Sequence, residues 1–197
     1  MTASLLLPVS AGLARYKTLR LDTALLLGLF IFTFSEEAIV MYIYYALKGN
    51  PYWLQHLYSP VEYTIYVIVF SRWVNNSKIR KSLWISLPIY IALGIITDLT
   101  FESLADTNSF MASISCVVHI IVSLYVIFSL IAENRSTLYS NYIFWFCLGI
   151  LFYSLGSVLY FAFYHFLVSY HMWVFHNICN IIAHIIYAKG FLCLQRH

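Results

Sequence analysis

Glu36, Glu37, Glu62, His119, His176 and His184 all stand inside runs of sequence that are otherwise apolar. Carboxylates and imidazoles in such surroundings have three chemistries open to them. They pass protons to one another, they neutralise a cation, or, where three or four nitrogen and oxygen donors converge, they hold zinc. Asn177 and Asn180 add amides beside the last two histidines. At 3.6 residues per turn His176, Asn177, Asn180, His184 and Tyr187 fall within about 100° of one another, which makes one polar stripe along a helix. His56, Ser59, Glu62, Tyr63 and Tyr66 form a second stripe about 120° wide.

The elements that carry these residues are read from length and composition. The chain is 62% hydrophobic and 10% charged over 197 residues. A water-soluble globule needs far more polar surface than that. A helix needs about 20 apolar residues to cross the hydrocarbon of a bilayer. The runs 21–47, 52–73, 82–101, 109–132, 142–164 and 173–194 meet this requirement. The fold class expected is an all-α polytopic membrane protein, a six-helix bundle. A short leader (1–20) precedes a single transmembrane domain (21–197). Strands would leave unpaired backbone in lipid, and the period-2 alternation of a membrane barrel is absent.

Charge sets the orientation. Arg15, Lys17, Arg20, Arg72, Lys78, Arg80, Lys81, Arg135, Lys189 and Arg196 all fall on one side under this assignment, and Lys48 alone falls on the other. Cationic loops resist translocation, so both termini are expected to be cytoplasmic, in a plasma or bacterial inner membrane. The formal charge of +3 belongs to these loops, and no base-reading module accompanies it. The expected partners are the lipid bilayer and either a second copy of the chain or another membrane protein, with no nucleic acid. Residues 1–14 have no basic n-region, and their apolar run is broken by Pro8, so they read as an interfacial or unstructured leader. Cys116, Cys147, Cys179 and Cys193 fall within spans and suggest no disulfide framework. The sequons at Asn75 and Asn134 fall on the cytoplasmic side, where they would go unused.

Counted from the outer surface, Glu36, Glu37, Glu62, His119 and Asn180 lie roughly 10–15 Å deep, near the midplane. His56 and His176 lie above that layer and His184 below it, while His165 and His171 fall at the outer rim. An ionised acid at the centre of a bilayer costs about 2.5–3.5 kcal/mol, so polar residues there are expected to share an interior. Asp98, Glu102 and Asp106 make the outer end of the third span acidic, either as a cation-concentrating mouth or as a solvated loop. Gly149 and Gly156, seven residues apart, mark a close-packing face within the chain or between subunits.

These features support three readings. The first is a cavity of Glu36, Glu37, His56, Glu62, Tyr63, His119, His176, Asn177, Asn180, His184 and Tyr187 that binds or conducts protons, a cation or a small polar ligand, as a channel, transporter subunit or sensor. The second is a metal-dependent intramembrane hydrolase with zinc on Glu62, His119, His176 and His184. Ser115 and His119 stand at a Ser-x-x-x-His spacing that resembles part of the motif of the zinc hydrolases of the alkaline ceramidase and adiponectin receptor type. That resemblance implies a zinc ligand at His119. The chain departs from the pattern in having His176-x-x-x-Asn180 where those families have a His-x-x-x-His pair, and no acid follows His119 within its span. The third is a non-catalytic accessory, signalling or effector module whose polar core only fixes helix packing and whose cationic loop at 72–81 docks an acidic partner or anionic lipid.

Overall fold

Backbone flanked by apolar side chains over 20 residues satisfies its own N–H and C=O groups only by coiling into a helix. Every regular element among the described residues is helical. The computed structural model describes residues 2–100, 102–133, 135–163 and 170–194. The long helices are α1 (Thr2–Ala14), α2 (Leu21–Tyr45), α3 (Trp53–Trp73), α4 (Ser77–Thr100), α5 (Ser109–Glu133), α6 (Tyr142–Phe163) and α7 (Tyr170–Leu192). Tight 3-10 turns at Tyr16–Thr18 and Arg135–Ser140 join α1 to α2 and α5 to α6. His165, Arg196 and the Asn134 sequon lie outside the described residues, as do the expected span ends at Phe101 and Tyr164.

Among the described residues four helices are long and apolar enough to cross a membrane: α2, α4, α5 and residues 142–161 of α6. Helices α3 and α7 have the length, at 21 and 23 residues, but they carry the two polar stripes and do not join that group. The six spans expected from sequence are thus four by composition.

Helix α6 packs against α5 and α7, α1 against α7 and α2, α2 against α3, and α3 against α4 and α5. The helices therefore close a ring in the order α2, α3, α5, α6, α7, α1, with α4 outside α3 and α5. The first residues differ from the interfacial or unstructured leader expected: they form the wedge that completes this ring. Leu5, Pro8 and Gly12 recur on one face of α1 and are all buried. At Gly12 an added Cβ would stand 2.7 Å from Leu27 Cδ1 and 3.3 Å from Phe191 Cε1, so the absent side chain lets α1 slot between α2 and α7. Gly149 and Gly156 do the same between α6 and α7. A Cβ there would meet the Tyr187 ring and Cys179 Cβ at 2.5 Å each, so this small-residue face is used within the chain.

One end of the ring is basic. Asp22, at the start of α2, accepts from Trp73 Nε1 of α3 at 2.7 Å and from the Tyr142 hydroxyl of α6 at 3.1 Å. The Asn75 amide donates to Glu133 at 2.7 Å. Arg15, Lys17, Arg20, Arg72, Lys78, Arg80 and Lys81 flank these same helix ends. The opposite end is acidic, and two of its three acids are engaged. Glu102 is buried and accepts from Ser109 N (3.2 Å), Ser109 Oγ (2.6 Å) and Phe110 N (3.0 Å), which caps the first turn of α5. A carboxylate there satisfies orphan amides and complements the helix dipole. Asp98 is taken by His56 at 2.7 Å. Local hydrogen bonds thus claim two of the three acids at this end, and Asp106 is exposed.

Candidate functional site

Glu62 points inward from the middle of α3. Tyr58, one turn earlier on α3, and Tyr153 of α6 line the same space as its carboxyl. The Tyr58 hydroxyl lies 2.7 Å from Thr33 Oγ1, which ties α3 to α2 beside the glutamate. Glu36 and Glu37 lie one turn beyond Thr33 and border the same space.

That space is a cavity of about 460 Å³, in the range of small-ligand sites. Its lining brings together Glu36, Glu37, Glu62, His176, Asn177, Asn180 and His184 from α2, α3 and α7. Among the described residues no lysine or arginine lines it. Asn180 Nδ2 donates to His176 Nε2 at 3.0 Å, and the His176 ring stacks on Tyr160 with centroids 4.8 Å apart. His184 Nδ1 shares a 2.8 Å hydrogen bond with Ser4 Oγ of α1. Asn108 of the α4–α5 connection reaches in at the acidic end and donates to Ser59 Oγ at 3.2 Å.

Four residues expected at the site lie elsewhere. His56 is clasped at the acidic end, with Nδ1 on Asp98 and Nε2 donating to the Asp106 carbonyl at 3.0 Å. Tyr63 faces α4, where it donates to Ser86 Oγ at 2.8 Å and stacks on Tyr90 at 4.0 Å. The α3 stripe is wider than one helix interface. Its Ser59–Glu62 edge meets the cavity, and its His56–Tyr63 edge meets α4. His119 is buried in an aromatic cage of Tyr63, Tyr66 and Phe70 at 6.0, 4.3 and 6.1 Å. Neither of its ring nitrogens finds a hydrogen-bonding partner among the described residues. Tyr187 lies below the cavity and closes it. Its ring stands 4.8 Å from Phe30 and 6.2 Å from Phe146, and Phe146 meets Phe191 at 4.9 Å, a packed aromatic floor toward the basic end.

Tyr58 and Tyr153 escaped the sequence reading. Tyr58 precedes Glu62 by one turn, and that spacing was a usable signal. Tyr153 had none, since nothing in an apolar helix reports which partner its hydroxyl meets.

Protein-family models, curated proteins and solved structures were all compared with this chain. None matches. The resemblance of Ser115 and His119 to the zinc hydrolase motif thus has no wider match behind it, and His119 faces away from the cavity that Glu62, His176 and His184 line. Among the described residues no three His, Cys, Asp or Glu side chains converge as metal ligands do. The four-ligand zinc set is therefore not assembled.

Proposed function

We propose that α3 and α7 cross the membrane with the four more apolar helices, with the basic end cytoplasmic, and that the interior cavity binds a cation or a small cationic polar ligand. The positive-inside bias supports the orientation. The ring arrangement supports the span count, because helices bordered by other helices and an internal cavity tolerate polar stripes that lipid would not. One observation carries the binding reading. Glu36 of α2 and Glu62 of α3 line a single cavity whose described lining holds no lysine or arginine, so an entering cation recovers a charge interaction in a low-dielectric setting. Asn180, His176 and the tyrosine hydroxyls supply hydrogen-bonding partners for its remaining groups. The aromatic floor of Phe30, Tyr187, Phe146 and Phe191 favours binding, as in a sensor or one state of a transporter subunit, over an open conducting path.

The test is the unfolding midpoint of protein in lipid nanodiscs, titrated with ethylammonium and with ethanol as its uncharged counterpart. Ethylammonium is expected to stabilise the wild type where ethanol does not. Glu62→Gln is expected to weaken that effect about tenfold, the loss of one charge-assisted contact. Equal responses to the two probes, or an unaffected Glu62→Gln variant, would overturn the reading.

A further inference from the structure

Acids and imidazoles from three helices meet in the one cavity: Glu36 and Glu37 of α2, Glu62 of α3, and His176 and His184 of α7. Phenol groups border the same space, from Tyr52 before α3, Tyr58 on α3, and Tyr153 and Tyr160 on α6. The described lining adds no lysine or arginine to this set. The remaining titratable groups of the acidic end stand apart from it. His56 and Asp98 are bonded to each other, Glu102 caps α5, and none of the three lines the cavity. Local bonds hold the set in place. Tyr58 and Thr33 tie α3 to α2 at 2.7 Å, Asn180 holds His176 at 3.0 Å, and Ser4 holds His184 at 2.8 Å. Groups that gain and lose protons therefore share about 460 Å³ with whatever enters it.

We propose that the cavity is an exchange site, at which the cation binds in place of a proton held by this set of acids and imidazoles. This rests on the cation reading above and names the proton as the competing ligand. Charges of one sign confined to a low-dielectric space repel strongly. With every carboxylate ionised and both imidazoles neutral, the empty cavity would hold several negative charges, so the set retains a proton. The proton belongs to the set, and the charge balance is the same whether a carboxyl oxygen or an imidazole nitrogen carries it. An entering cation adds one positive charge. The proton then leaves its O–H or N–H bond for water, the bonding pair stays on the oxygen or nitrogen, and the net charge of the cavity is unchanged. The coupling is reciprocal: a bound proton weakens the cation by the same factor as the cation weakens the proton. Cation affinity therefore rises with pH, by up to about tenfold per unit for one proton exchanged, and levels off once the set has lost that proton.

The test uses full-length protein in lipid nanodiscs, titrated with ethylammonium in weakly buffered solution. Calorimetry follows binding, and a pH-indicating dye counts the protons released per bound cation at pH values between about 5 and about 9. About one proton per cation is expected where release is greatest, and none on adding ethanol. Glu36→Gln and, separately, Glu62→Gln each keep the other carboxylate, so both variants still bind at saturating ethylammonium. Each is expected to release at least twofold fewer protons per cation, and size-exclusion profiles verify folding. Binding without proton release at any pH would overturn the exchange and leave the cation reading standing; this wild-type count decides even where a variant fails to fold. Release undiminished in both variants would assign the proton to the amine itself or to a distant group, and would also overturn the exchange. If ethylammonium does not bind, both readings fall.

Discussion

Ser4 and His184, separated by 180 positions in the chain, share a hydrogen bond of 2.8 Å that fastens the first helix to the last at the floor of the cavity. The contact fixes the first turn of α1 against α7. Ser4→Ala is expected to remove about 1 kcal/mol of local stability. Hydrogen exchange across residues 2–14 should then quicken about fivefold with α3–α5 unchanged. Unaltered exchange would mean that the apolar face of Leu5, Pro8 and Gly12 holds the wedge alone.

Gly156 and Gly28 give opposite outcomes for one chemical change. At Gly156 a new methyl group would lie 2.5 Å from Cys179 Cβ and 3.0 Å from its Sγ, and the Cβ, bonded to the backbone, cannot swing aside. Gly156→Ala should destabilise by about 1–3 kcal/mol as α6 and α7 are forced apart. At Gly28 an added Cβ meets nothing within 4 Å, so Gly28→Ala should stabilise by up to about 1 kcal/mol through helix propensity. Denaturant unfolding in mixed micelles reads both.

Among the described histidines His119 is the most buried, and it has the least polar company. With both nitrogens buried and unbonded, an apolar replacement of similar volume relieves a desolvation cost and breaks no hydrogen bond. His119→Leu should leave stability unchanged or raised in the same unfolding assay. A loss above about 2 kcal/mol would show that the imidazole contributes a polar interaction to the bundle.

Glu102 acts as a cap, so removing its charge should loosen the start of α5. Glu102→Gln is expected to cost about 1 kcal/mol, from the weaker acceptor and the lost interaction with the helix dipole. Ethylammonium stabilisation should persist, since Glu102 does not line the cavity. Loss of that response would assign the acid to the cavity.

The helical character of the chain, the separation of a basic from an acidic end, and the polar stripe from His176 to His184 were all legible from residue type and spacing. These properties depend on transfer free energies and on the 3.6-residue period, both of which act locally. The sequence also marked Glu36, Glu37 and Glu62 as costly and therefore partnered. It did not reveal that His56 belongs to Asp98, that Glu102 caps α5, or that Tyr63 turns to α4. A stripe of about 120° borders more than one neighbour, and only packing assigns its edges. Nor did it reveal that Leu5, Pro8 and Gly12 form a wedge, because three positions on a short helix acquire meaning only once α2 and α7 stand apart to receive them. Local patterning determined which residues avoid lipid; the ring closure, a matter of contacts between distant segments, decided which of them meet.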